Sequence, residues 1–516
     1  MRVFIFITIG LMAAAAEVHG QAGTLDPSFS GDGMYTADLD PWFDELWAIT
    51  VQDDGKIIGA GMVGDADDQA VLVHRLLSDG TPDSTWGVAG TVILTVPGLD
   101  QVASAIVIQS TGRVVVSGAT LDSLGDHNAA LWGLTGQGAL DSTFGQSGIV
   151  AWDFDQGSDD QDILDMQVLA DDRIICVGNG ASGSVCARLL PDGGPDMTYG
   201  IGGVAEFGLP TSQGVSLAMD ATGSTIVAGM LGSDWLIARL DSVGAFDPGF
   251  GAGGIVTIDL FASGGERAVG ISEMSDGRIV ACGYSAAQLA QGDTPQLVML
   301  WPDGSVDTDF GNGGVQSIPY TLPDFGQFTE VLALPDTSFL VSGFYQQGAS
   351  PVAMFTLSRF LGDGSFDPSF AGGGYVATDM CVSLEVPWDM ALAPDGGVVL
   401  GGWAATSAHT DVAVAKYFNN LITGVAPPER SAEAVRAVPC PATDVVEFHG
   451  LHAHTGRTTF TFTDASGHVV HTHNDQTNGR SSSVRVQLPA FVKSGAYFVT
   501  ISSGSSLEHA RCIVTR

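Results

Sequence analysis

Aspartate carries most of the potential chemistry in this chain, and its aspartates fall into two sets. One set recurs: Asp26, Asp83, Asp141, Asp196, Asp247, Asp307 and Asp367 each open a phrase Asp-x-x-aromatic, as in Asp26-Pro-Ser-Phe29. The other is clustered, with Asp153, Asp155, Asp159, Asp160 and Asp162 in one stretch and Asp65, Asp67 and Asp68 in another. Clustered carboxylates suit Ca²⁺, which takes six to eight oxygens. Neither stretch has the spacing of a helix–loop–helix calcium loop, so a solvated acidic loop is the simpler expectation and calcium the sharper one. For the recurring set, recurrence argues against catalysis. A catalytic group is needed once, whereas an Asp that accepts local backbone N–H bonds is needed at every turn of the same kind. These seven are therefore read as structural anchors.

Other chemistry-bearing residues are sparse. His452/His454 and His471/His473 alternate, which puts each pair on one strand face; zinc needs about four ligands, and a polar face is the simpler account. Cys440 and Cys512 bracket the C-terminal region, where a disulfide is plausible in an exported chain. Cys176 and Cys186 lie on neighbouring strands and offer a second pair, while Cys282 and Cys381 read as buried thiols. There is no Gly-x-Ser-x-Gly elbow, His-Glu-x-x-His or phosphate-binding loop, so no catalytic residue and no required cofactor is assigned.

The elements that hold these residues are read from the repeat. The seven anchors are spaced 57, 58, 55, 51, 60 and 60 residues apart. Between them recur an Asp-Gly hairpin signal (Asp54-Gly-Lys-Ile-Ile58, Asp276-Gly-Arg-Ile-Val280) and a strand ending in Arg-Leu (Cys186-Ala-Arg-Leu189). Gly accepts the positive φ that such turns demand. Each unit thus reads as four short strands. The fold class is all-β: a seven-bladed β-propeller of four-stranded antiparallel blades, followed by a small β-sandwich. Trp47 and Trp388 break the repeat at one position, where the other units have Ser104, Leu164, Val215, Val269 and Thr329. First and last blades are neighbours in a closed ring. The two indoles are either a stacking platform for a sugar or extra packing at the closing seam, and packing is the simpler expectation.

The phrase Leu25-Asp-Pro-Ser-Phe-Ser-Gly-Asp-Gly33, with Asp-Gly-Lys-Ile and Ala-Arg-Leu behind it, resembles the delta-60 repeat family, bacterial propellers of unknown function. The resemblance covers residues 24–420. Some copies depart: the second has Gly133 where others have Arg, and the sixth has Pro335-Asp-Thr-Ser338 for the Asp-Gly turn. In the tail, Pro439-Cys-Pro-Ala-Thr-Asp444, Asp464-Ala-Ser-Gly467 and Ser494-Gly-Ala-Tyr-Phe-Val499 resemble the sorting domain of type IX secretion, with Cys440 replacing the usual Asn. That resemblance implies recognition by the secretion machinery and export across the outer membrane. Arg2 and the apolar run to Ala16 have the layout of a signal peptide over 1–20, which leaves no membrane span after cleavage. The expected domains are 21–422 for the propeller, 423–433 for a linker and 434–516 for the sandwich.

Charge narrows the partners. Residues 1–420 hold 11 Lys+Arg against 51 Asp+Glu, and residues 421–516 hold 8 against 7. Of those 11 cations, nine occupy repeat positions and Arg2 lies in the leader, so Arg267 alone is left over. Nucleic acid and other polyanions need clustered Lys/Arg and are excluded as partners. The expectation is a secreted or surface-displayed binding module for carbohydrate or protein. The alternatives are a hydrolase or lyase with carboxylates at the central funnel, or a purely structural surface protein.

Overall fold

The computed structural model describes residues 21–65, 68–95, 100–121, 127–152, 161–260, 265–286, 293–318, 325–346, 352–380, 384–405 and 409–419, and in the tail 436–438, 445–449, 455–463, 469–478, 483–489, 492–493, 495–503 and 506–514. The chain divides into two compact units, ending and beginning at Thr423 and Gly424. Every regular element among the described residues is a strand, and no helix there is long and apolar enough to cross a membrane.

Repeated four-stranded antiparallel sheets, as in a propeller, make up the first unit. In the sheet of Ser212–Met219, Thr225–Leu231, Asp234–Leu240 and Ile255–Ile258, each strand pairs with the next in sequence. Four more sheets follow the same order. An eight-stranded sheet holds two further groups: Phe43–Val51, Ile57–Asp65, Asp68–Leu76 and Thr91–Leu94, and then Glu385–Leu392, Val398–Ala405 and Thr410–Tyr417. These groups meet at one parallel pair, Phe43 with Thr410. The fourth strand of the second group comes from the other end of the unit: Met34–Ala37 runs antiparallel to Thr410–Tyr417, with Ala37 opposite Val412.

Apolar residues on alternate sides of each strand bury themselves between successive groups. Ile58, Val71 and Val73 pack with Val114, Val116 and Trp132. In the same way Leu46, Ile49 and Leu72 pack with Val399, Val412 and Val414, so the last group packs on the first. The aromatics three residues after the anchors fill these layers: Phe29, Trp86, Phe144, Phe250, Phe310 and Phe370 are 0 % exposed and Tyr199 1 %. Thr337 replaces Gly in the sixth hairpin turn and adopts φ 67°, a conformation that costs a side chain about 1 kcal/mol, while the turn keeps the bond from the N–H two residues after its Asp, here Ser338 to Asp336, that other units also make.

The proposed Cys176–Cys186 bridge is not formed. Cys176 lies opposite Ala187 and Cys186 opposite Val177, one register position apart. A shift of one residue turns the side chains to opposite faces, and the two thiols enter different core layers as free, buried groups. Cys282 is likewise a buried thiol, whereas Cys381 and Cys440 lie outside the described residues.

In the second unit Arg436–Val438, Val445–His449 and Ser483–Gln487 form one sheet. Thr455–Thr463, Val469–Asn478, Gly495–Ser503 and Ser506–Val514 form another. Val446, Phe448, Phe460, Phe462 and Val486 share one core.

Candidate functional site

The seven anchoring aspartates have one geometry. Oδ1 accepts the backbone N–H two residues on, at 2.9 Å from Ser28, 3.0 Å from Thr85 and 2.8 Å from Gly249. Oδ2 faces a cation: Lys416 for Asp26, Arg75 for Asp83, Arg113 for Asp141, Arg173 and Arg188 for Asp196, Arg239 for Asp247, Arg278 for Asp307 and Arg359 for Asp367. Several of those guanidiniums also lie over the buried aromatic, as Arg188 does 4.6 Å from the Tyr199 ring centre. Every anchor is consumed by the fold.

This pairing explains a departure from the repeat. Gly133 and Met299 stand where other units carry the fourth-strand Arg or Lys. In both units the hairpin arginine reaches the anchor instead, Arg113 at 2.7 Å and Arg278 at 3.0 Å. Two sequence positions serve one carboxylate, and each unit fills at least one. Hydrogen bonds from Thr143 and then Arg113 hold the Asp141 carboxyl down at about 2.

The position that separates Trp47 and Trp388 from the other units is a β-bulge. In all seven first strands the pairing register slips there, between Leu46 and Ala48 in the first and between Pro387 and Asp389 in the last. The extra residues are Trp47, Ser104, Leu164, Val215, Val269, Thr329 and Trp388, and all seven line a single cavity of ≈ 390 Å³. A bulge aims its unpaired residue out of the ladder. It also presses the first strand onto the second, where each sheet has a glycine: a Cβ on Gly118, Gly178 or Gly229 would lie 1.8–1.9 Å from a carbonyl oxygen of the bulged strand.

Neither tryptophan is core packing. Trp388 is 42 % exposed, and Trp47 is half-buried with its Nε1 donating to Glu45 at 2.9 Å. Arg267, the cation left over by the repeat, lines the same cavity, and its buried Nε has no hydrogen-bond partner.

Asp165, Glu330 and Asp389 escaped the sequence reading. They occupy the position after the bulge, where other units have Ala48, Ala105, Ser216 and Gly270. With Ser216 they form the wall shared with a second cavity of ≈ 290 Å³. Asp389 Oδ2 accepts Ile49 N–H at 2.7 Å, and Oδ1 accepts Met390 N–H at 2.6 Å. Asp165 bonds Leu217 N–H at 2.8 Å and Met166 N–H at 2.7 Å. These two carboxylates tie neighbouring four-stranded groups through backbone amides next to the bulges. Glu330 uses only Oε1, on Val331 N–H at 2.9 Å. No cation pairs with any of the three among the described residues. Burial pushes the Asp165 carboxyl up to about 6. Burial, then the charges of Asp389 and Asp165, push Glu330 well above the carboxylate range, and burial raises Asp389. The signal was there to read: three acids in a column otherwise filled by Ala, Ser and Gly.

Of the expected calcium loop, Asp153, Asp155, Asp159 and Asp160 lie outside the described residues, as does Asp67. Asp162 accepts Asn179 N–H and Nδ2, both at 3.0 Å. His471 and His473 rest beside the Phe462 and Phe460 rings, at 5.6 and 6.1 Å.

Residues 52–85 and 275–310 match the family model of a β-propeller domain of unknown function, DUF5122. No curated protein matches the chain. Among solved structures, a protein of unknown function from Dyadobacter fermentans is 11 % identical, with TM-score 0.39 over 74 % of this chain and 98 % of its own. PorZ, a surface component of the type IX secretion system of Porphyromonas gingivalis, is 11 % identical, with TM-score 0.24 over 91 % and 81 %. An ulvan lyase bound to its saccharide is 9 % identical, with TM-score 0.37 over 73 % and 95 %. Resemblance at this level says nothing about ligand or activity.

Proposed function

We propose that this chain is an exported, seven-bladed β-propeller that binds a carbohydrate or protein ligand without catalysis, in the cavity lined by one bulged residue from each blade. One observation carries the reading: Trp47 and Trp388, the residues that depart most from the repeat, open onto that single cavity rather than packing in the core. An indole face offers apolar stacking area and its rim accepts polar neighbours, which suits a sugar ring or a side chain of a protein partner. In this reading the N-terminal 20 residues are a signal peptide, and the β-sandwich tail is the element read by a type IX-like machinery, leaving the propeller secreted or on the cell surface. The test is a glycan and protein-binding screen on the mature full-length chain, repeated with Trp388→Ala and Trp47→Ala. Loss of at least tenfold in affinity in both variants is expected, and binding that survives both would refute this site.

A second reading rests on Asp165, Glu330 and Asp389. Carboxylates whose pKa burial raises in a pocket are suited to general acid chemistry on a glycosidic substrate. Product release from a bound glycan, abolished by Glu330→Gln with affinity retained, would turn the binding module into a hydrolase or lyase.

A further inference from the structure

Away from the central cavity, a second group of side chains meets where the N-terminal strand joins the last group of the unit. Met34–Ala37 ends with Ala37 opposite Val412, so Asp38 and Asp411 are the next residues along the two strands just beyond the last pair. Like charges opposite each other at a strand end are destabilising. His409 stands between them, with Nε2 3.2 Å from Asp411 Oδ1 and 3.8 Å from Asp38 Oδ2, and the three atoms all lie within 4.8 Å of one another. Asp411 Oδ1 is buried and accepts no hydrogen bond. Burial and the Asp38 charge raise its carboxyl, with His409 opposing. Asp40 and Asp38 both act on the nearby Asp44 carboxyl, which burial lifts to about 6.

We propose that Asp38, His409 and Asp411 form a binding site for a divalent first-row metal ion of the Mn²⁺ or Zn²⁺ kind, which staples the N-terminal strand to Thr410–Tyr417. Ligand atoms about 2.1 Å from such an ion lie roughly 3.0–3.4 Å from one another in octahedral or tetrahedral geometry; the His409–Asp411 separation of 3.2 Å already fits, and Asp38, at 3.8 Å, would close in by a few tenths of an ångström. One imidazole and two carboxylates make a mixed nitrogen–oxygen set of the right type. The side chain of Asp38 is 58 % exposed, which gives the ion an entry path and leaves room for water ligands. Asp38 and Asp411 lie more than 370 residues apart in sequence, so the ion would close a long loop at a joint where the paired strand is only 4 residues long.

The competing account is a protonated His409 that pairs with the two carboxylates and needs no metal. Mn²⁺ alone, added to metal-stripped full-length protein at neutral pH, separates the two. Binding followed by electron paramagnetic resonance should show a site that is lost in His409→Gln and in Asp411→Asn. The parent should gain roughly 3–5 °C in melting midpoint at a hundredfold excess over Kd, reversed by EDTA. The variant Asp38→Asn, at the exposed member, should keep the fold and weaken Mn²⁺ at least tenfold. An unchanged number of bound ions and an unchanged shift in that variant would overturn the proposal, because any ion would then be held elsewhere, for example by the histidines of the tail. No Mn²⁺ binding by the parent would reduce the group to a histidine–carboxylate ion pair.

Discussion

Removing the Arg113 side chain should destabilise the protein far more than removing Arg173, although both follow a hairpin turn and both reach an anchoring aspartate. Arg113 Nε lies 2.7 Å from Asp141 Oδ2, and its remaining nitrogens donate to Gln109 at 3.0 Å and to Pro191 O and Thr143 at 2.7 Å. The paired side chains are only 14 % and 18 % exposed, and the fourth-strand position opposite holds Gly133, which offers no second cation. Arg173→Ala, by contrast, leaves Arg188 on Asp196 at 2.8 Å, and Arg173 is itself 30 % exposed. Breaking a buried pair costs about 3–5 kcal/mol and an exposed one about 0–1 kcal/mol. Discounted for partial solvent access, Arg113→Ala should cost about 2–3 kcal/mol and Arg173→Ala about 0.5–1 kcal/mol. Urea unfolding midpoints of the two variants and the parent measure the difference. The pH dependence adds a second arm. A carboxyl held at about 2 contributes stability that is present above its unfolded pKa near 4 and lost as pH falls towards 2. The gap between the parent and Arg113→Ala should therefore shrink over that range. Equal losses in the two variants at neutral pH would refute the idea that two sequence positions share one duty.

Gly229→Ala would place a Cβ 1.9 Å from the Gln213 carbonyl oxygen and force the bulged strand away, at a cost of about 3 kcal/mol or more. Gly223→Ala, at φ 84° with nothing within 4 Å, should cost only about 1 kcal/mol, and comparing their melting midpoints checks the difference. Glu330→Gln keeps an acceptor for Val331 N–H and removes a group whose folded pKa is raised. A raised carboxyl loses stability as pH climbs above its unfolded value, so parent and variant should melt alike near pH 4 and the variant should be the more stable near pH 8. Parallel melting curves across that range would show that Glu330 ionises freely.

The repeat made the four-stranded units legible, because each anchor, turn and Arg-Leu strand recurs in the same order and each phrase has a local physical cause. What the repeat hid is anything that depends on two strands at once. Arg113 and Gly133 lie in different phrases, and only the pairing of their strands shows that one compensates for the other. Alternation suggests that Cys176 and Cys186 could meet, yet a one-residue offset in register sends them into separate layers. The seven bulges break the alternation itself, so Asp165, Glu330 and Asp389 read as ordinary strand positions when they in fact face a cavity. The glycines opposite the bulges were likewise invisible as a set, since their reason is a carbonyl oxygen on another strand.

Charge separates what the fold uses from what it does not. Each of the seven anchors is matched to a cation, and of the nine repeat Lys and Arg residues all but Lys56, which pairs with Asp54, serve that duty. Among the described residues the carboxylates beside the bulges have no cation, and the units with Ala48, Ala105, Ser216 and Gly270 hold the same strand geometry without an acid there. A buried ionisable group with no charged partner costs stability unless hydrogen bonds offset it. Asp165 and Asp389 have that offset, because each joins two four-stranded groups through backbone amides. Glu330 has one such bond and a second oxygen with none, in the cavity that also holds the unpartnered Nε of Arg267 and the two tryptophans. The fold accounts for the other two acids. It does not account in the same way for Glu330 or for Arg267.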